Sequence, residues 1–104
     1  MADDKDGRDP NKVAISAKGG IEAVVRAMGA HESIAIVQEQ GCAALRNLAA
    51  NAENQVAIAA RGGIAAVVRA MGAHESIVGV QEEGCRALGN LAANDENKVA
   101  IAAE

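Results

Sequence analysis

An internal repeat limits this chain more than any other feature. Asn11-Lys12-Val13-Ala14-Ile15 returns as Asn54-Gln55-Val56-Ala57-Ile58 and again as Asn97-Lys98-Val99-Ala100-Ile101, each time 43 residues on. Residues 11–53 and 54–96 are identical at 33 of 43 positions. A period of this length marks a stacked supersecondary unit that buries its apolar face on its neighbour. Propeller blades share the length but need strand-rich, turn-punctuated sequence. Here the sequence is alanine-rich, with apolar residues at helical spacing. Half of the 104 residues are hydrophobic and none is aromatic. The core is therefore built from Ala, Val, Ile, Leu and Met, whose small side chains let helix axes come close together.

Each unit reads as three helices. In the first, a helix over about 11–18 follows Asp9 as N-cap and Pro10 at the first helical position. Gly19-Gly20 ends it. A second helix over about 20–28 carries Ile21, Val24, Val25 and Met28 on one face. Gly29-Ala30-His31-Glu32 breaks it, and the longest helix covers about 33–50, with Ser33 as its N-cap and Glu32 beside the positive end of its dipole. The second unit repeats this over about 54–61, 63–71 and 76–93, with Ser76 and Glu75 in the same roles. Residues 97–104 then form a lone first helix. The organisation is a charged tail, 1–9, and one all-α domain, 10–104, with repeat one at 11–53, repeat two at 54–96 and a partial third repeat at 97–104.

The stretch Gly41-Cys42-Ala43-Ala44-Leu45-Arg46-Asn47-Leu48-Ala49 and its copy Gly84-Cys85-Arg86-Ala87-Leu88-Gly89-Asn90-Leu91-Ala92 resemble the third helix of an armadillo repeat. The Gly-Gly-Ile-x-Ala-Val-Val-x-Ala-Met stretches before them resemble the family's second helix. The resemblance covers 10–104. It implies a right-handed α-solenoid whose third helices line a concave groove for extended peptides. It also implies that Asn47 and Asn90 hydrogen-bond a peptide backbone. The tryptophan that peptide-binding members often carry four residues earlier is replaced by Ala43 and Arg86, so their ligand class does not transfer.

The ten differences between the copies are informative by themselves. Positions 36, 40, 43 and 47 of the long helix fall within an arc of about 60° at helical spacing. Three of these four change: Ile36 to Gly79, Gln40 to Glu83 and Ala43 to Arg86, with Asn47 and Asn90 shared. The opposite stripe, Ile34, Val37, Gly41, Ala44, Leu45 and Leu48, is identical in both copies. Packing resists volume changes and solvent does not, so the variable stripe reads as a free face. It is also the candidate peptide-binding surface: Ile36, Gln40, Ala43, Asn47, Gly79, Glu83, Arg86 and Asn90. The plainer alternative makes the variable residues solvent-facing drift and has the two asparagines satisfy nearby backbone carbonyls.

Other reactive residue types carry less. Cys42 and Cys85 sit at equivalent positions about 10 Å apart, the usual helix-packing distance. That is too far for a disulfide's Cα separation of about 5.5–6 Å, so both read as small buried hydrophobes. His31-Glu32-Ser33 and His74-Glu75-Ser76 are adjacent on turns and cannot converge as a triad. They also lack zinc-type ligand spacing. The glycine pairs have no Lys-Ser/Thr behind them, so the phosphate-loop reading fails. No catalytic residue, cofactor or metal is expected.

The net charge of -4 with no basic block argues against nucleic acid and against an acidic membrane surface. No apolar run reaches the length of a membrane span and no signal sequence is visible, which points to an intracellular setting, cytoplasmic or nuclear. Solenoids generally need three or more units. Residues 97–104 repeat an internal first helix, with Val99 and Ile101 available for self-association, and a two-fold homodimer through terminal faces is expected. The function expected is a non-catalytic protein-interaction scaffold that binds an extended peptide, self-associates, or both. The alternative is an engineered or excised minimal repeat pair that only folds and assembles.

Overall fold

The structure is a computed structural model that describes residues 10–104, with side chains from residue 17 onward; the tail 1–9, with the expected cap Asp9, lies outside the described residues. All six described elements are α-helices: α1 (Pro10–Ala30), α2 (Ala35–Leu48), α3 (Ala52–Ala60), α4 (Gly63–Ala73), α5 (Val78–Leu91) and α6 (Asp95–Ala102). Ile21, Met28, Leu45, Ile58, Val67, Val80 and Leu91 join one core that runs through both repeat units. The long helices α2 and α5 lie side by side and make the most extensive helix pair in the molecule, which spans 51 × 29 × 19 Å.

The second unit follows the expected three-helix order, but the first does not. Gly62 sits at φ +82 and breaks the chain between α3 and α4, which are bent by 72°. The equivalent Gly19 stays helical, and α1 runs unbroken from Pro10 to Ala30. A glycine permits a break without forcing one. Packing supplies the force in the second unit: the side chain of Ile58 folds back over Gly63, where a Cβ would collide with it, and Ile58 is completely buried. Beside Gly20 no described atom lies within 4 Å of a Cβ built there, and the straight helix keeps its hydrogen-bond ladder.

The long helices start later than the sequence suggests. Their N-caps are Ile34 and Ile77, neither of which caps through its side chain, so Ser33 and Ser76 do not cap. Side-chain amides tie down the turns instead. Gln38 Nε2 donates to the carbonyls of Met28 (3.0 Å) and His31 (2.8 Å). Gln81 does the same for Met71 (2.8 Å) and His74 (3.0 Å). The Met28 and Met71 carbonyls belong to the last turn of the preceding helix, and the His31 and His74 carbonyls, just beyond it, also accept from Ile34 and Ile77 N–H. Asn51 caps α3, accepting from the backbone N–H of Glu53 and Asn54, and Asn94 caps α6 through Asn97 N–H. The repeat-opening asparagines also bind backward. Asn54 donates to Leu48 O, and the buried Asn97 donates to Leu91 O and Gln55 O.

Two outcomes check this picture. Gly19→Ala fills a helix interior and should stabilise by about 0.5–1 kcal/mol, whereas Gly62→Ala meets a left-handed backbone and should cost about 1 kcal/mol or more. Equal shifts in thermal denaturation would contradict the continuous α1. In urea unfolding, Gln38→Leu should cost about 2 kcal/mol by orphaning the Met28 carbonyl and removing a second bond to His31 O, while the exposed Gln40→Ala should stay within about 0.5 kcal/mol.

Candidate interaction surface

The seam between the units shows which side of each long helix is used. Cys42 on α2 is fully covered. Gly79 on α5 faces the Glu39 carboxylate so closely that a Cβ there would overlap it. One turn on, Arg46 Nε lies 2.8 Å from Glu83 Oε1; the approach is a charge contact without an aligned N–H···O bond. Glu83 also meets Arg86 at 3.7 Å, and Arg86 meets Glu82 at 3.2 Å. At the C-terminal end of the seam, Asn90 Nδ2 donates to the Arg46 carbonyl at 2.9 Å. Burial pushes the Cys42 thiol up to about 11, with the charge of Glu83 adding to the effect.

This geometry divides the sequence-predicted surface in two. Gly79, Glu83 and Asn90 face α2, so in the second unit the variable stripe is a seam and not a free face. Helical spacing says which residues share a side and is silent on what stands opposite. Asn90 spends its amide on a neighbouring carbonyl, as the plainer alternative held. Arg86 remains exposed beside the seam. In the first unit the same stripe is open: Ile36 is 57% exposed, Gln40 and Asn47 are exposed, and Ala43 is partly covered. The identical stripe does pack in part, with Gly41 and Leu45 buried, but Ile34 and Ile77 are exposed.

An apolar groove of about 330 Å³ adjoins this open stripe, lined by Val24, Ala27, Met28, Ile36, Val37, Gln40 and Gly41. At the other end of the molecule a second apolar face is uncovered. Val78 is 76% exposed, and Val99, proposed from sequence for self-association, is 72% exposed, while Ile101 packs partly onto the core. Cys85 belongs to this face and is exposed. That corrects its reading as a second buried hydrophobe, because no described helix crosses it as α5 crosses Cys42.

The turns offer structural contacts. His74 Nε2 donates to the Glu32 carbonyl at 2.7 Å, and Glu32 meets Arg69 at 3.7 Å, both between units. Among the described residues no three His, Cys, Asp or Glu side chains converge as metal ligands. No single described helix is long and apolar enough to cross a membrane. The bent pair α3–α4 matches by composition alone, and its Ile58, Ile64 and Val67 are buried in the core.

The two thiols should separate cleanly in a labelling experiment. At pH 8 and low protein concentration, one thiol per chain, Cys85, should react promptly with a disulfide reagent, and Cys42 only on unfolding; equal rates would contradict the seam. Comparison with known protein families, with curated proteins and with solved structures finds no match for this chain.

Proposed function

We propose that this chain is a non-catalytic protein-interaction scaffold, a right-handed armadillo-type solenoid that receives a polypeptide on its α1–α2 face. The 43-residue period, the helix order of the second unit and the Ala-Leu-x-Asn-Leu-Ala stretch of the long helices support the family reading. The observation that carries the function is the apolar groove beside the exposed Ile36. Exposed apolar patches rimmed by polar groups mark association sites. Here Gln40 lines the groove, and Asn47 is exposed two turns further along the same stripe of α2. An aliphatic side chain of the partner fills the groove, and the Asn47 amide, which can donate and accept, pairs with the partner's backbone. This reading assigns no reaction to the chain and goes with an intracellular setting.

A second reading, a repeat pair that only folds and self-associates, is favoured by the charges along the seam. Arg46, Glu83, Arg86 and Glu82 already neutralise one another, which leaves a peptide few unmatched charges there to engage.

A displayed library of extended peptides tests the first reading. Ligands selected on the wild-type chain should lose at least about tenfold in Kd, or 1.4 kcal/mol, with Ile36→Glu plus Asn47→Ala. Undiminished binding would remove the α1–α2 face from the function.

A further inference from the structure

The two uncovered faces carry the positions that, one repeat along, meet in the α2–α5 seam. The α2–α5 seam joins Glu39, Cys42 and Arg46 on α2 to Gly79, Glu83 and Asn90 on α5. By the 43-residue equivalence, the outward side of α5 repeats the α2 half as Glu82, Cys85 and Gly89. The outward side of α2 repeats the α5 half as Ile36, Gln40 and Asn47. Both are open to solvent.

We infer that the partner of the α1–α2 face is a second copy of this chain, whose α5–α6 face stacks onto it head to tail. The inference rests on the interaction-scaffold reading above and names the partner of that same face.

Five of the ten differences between the copies fall on these two sides, and four of them change in matched pairs. Inside the molecule the seam positions Ala35 on α2 and Gly79 on α5 are both small, and Arg46 faces Glu83 charge to charge. Between copies they become large apolar with large apolar, Val78 and Ile36, and neutral with neutral, Gly89 and Gln40. The fifth change clears space. Glu39 lies over Gly79 with Ala43 one turn on, whereas its counterpart Glu82 is drawn 3.2 Å to Arg86. That leaves the surface beside Val78 free for Ile36. Asn47 then meets the Gly89 carbonyl as Asn90 meets that of Arg46.

The short helices complete the fit. Within the second unit, Ile58 of α3 packs over Gly63 of α4. Ile101 of α6 is only partly buried, and no described atom lies within 4 Å of a Cβ at Gly20. Because α1 runs straight through Gly19 and Gly20, no described helix takes beside α1 the position that α3 takes beside α4. In the stacked arrangement the α6 of one copy serves as the first helix for the next. Such a contact is heterologous, and unless the rotation closes a ring it propagates instead of stopping at two.

Sedimentation and paired variants test this arrangement. Wild-type average mass should rise with concentration beyond a dimer. Ile36→Arg and Val78→Arg should each be monomeric with unchanged helical circular dichroism. Mixed one to one, they should form a single two-chain complex, because one keeps an intact α5–α6 face and the other an intact α1–α2 face. Without any substitution, Cys85 labelling should slow as wild-type concentration rises. A chain that stays monomeric with concentration-independent Cys85 labelling, or one that stops at a dimer not restored by mixing, overturns the head-to-tail contact. Should that monomer still bind displayed peptides through Ile36 and Asn47, the scaffold reading survives; loss of both removes both.

Discussion

Cys42 has no solvent exposure because α5 lies across it, and the closeness of that crossing organises the rest of the molecule. A chain without aromatic residues cannot fill wide gaps between helices. It gains its dispersion and burial by bringing helix axes together, which requires glycine, alanine or cysteine at the point of contact. Gly79 against Glu39 is the tightest example. Once α2 and α5 are in register, Arg46 reaches Glu83 and Asn90 reaches the Arg46 carbonyl. These polar contacts fix the register, and the apolar core of Leu45, Val80 and Leu91 supplies most of the stabilisation.

Amide side chains connect that register to the turns. Gln38 and Gln81 each close a helix end and the following turn with one nitrogen. Asn97 reaches back to α3 and α5 together. Buried amides hydrogen-bonded on more than one side are costly to disturb. The glutamine bonds stay within a unit, whereas those of Asn97 and Asn90 cross to the neighbouring one, so units hold together through polar as well as apolar contacts.

The repeat made much of this legible. Period and helical spacing located all three helices of the second unit to within a few residues, and they identified Leu45, Ile21 and Met28 as inward-facing. Three things were not legible, for separate physical reasons. Gly19-Gly20 and Gly62-Gly63 are the same dipeptide, yet only the second breaks, with Ile58 seated on Gly63; glycine permits either backbone, so the dipeptide alone does not choose. Ser33 and Ser76 have the right chemistry for caps, but the helices begin one residue later, at Ile34 and Ile77, and the turns are held by glutamine amides whose contacts, up to ten residues apart, no local rule anticipates. The stripe of positions 36, 40, 43 and 47 read as free because its residues vary. In the second unit the variation marks a seam, where Gly79 and Glu83 answer Glu39 and Arg46. Variation between copies reports a change of surroundings, and a change of neighbour has the same signature as exposure to water.

The proposed function rests on the seam having an uncovered counterpart on the outward side of α2 and of α5 among the described residues. The face carrying Ile36 and the face carrying Val78 present opposite halves of a contact whose completed form is visible between α2 and α5. The most direct test of that central claim places one substitution at two equivalent positions. In urea unfolding at low protein concentration, Cys42→Lys puts an unpaired charge into the seam and should cost about 3 kcal/mol, while Cys85→Lys on the uncovered face should cost less than about 0.5 kcal/mol. Equal costs at the two positions would contradict the account, because they would mean that α5 does not seal α2.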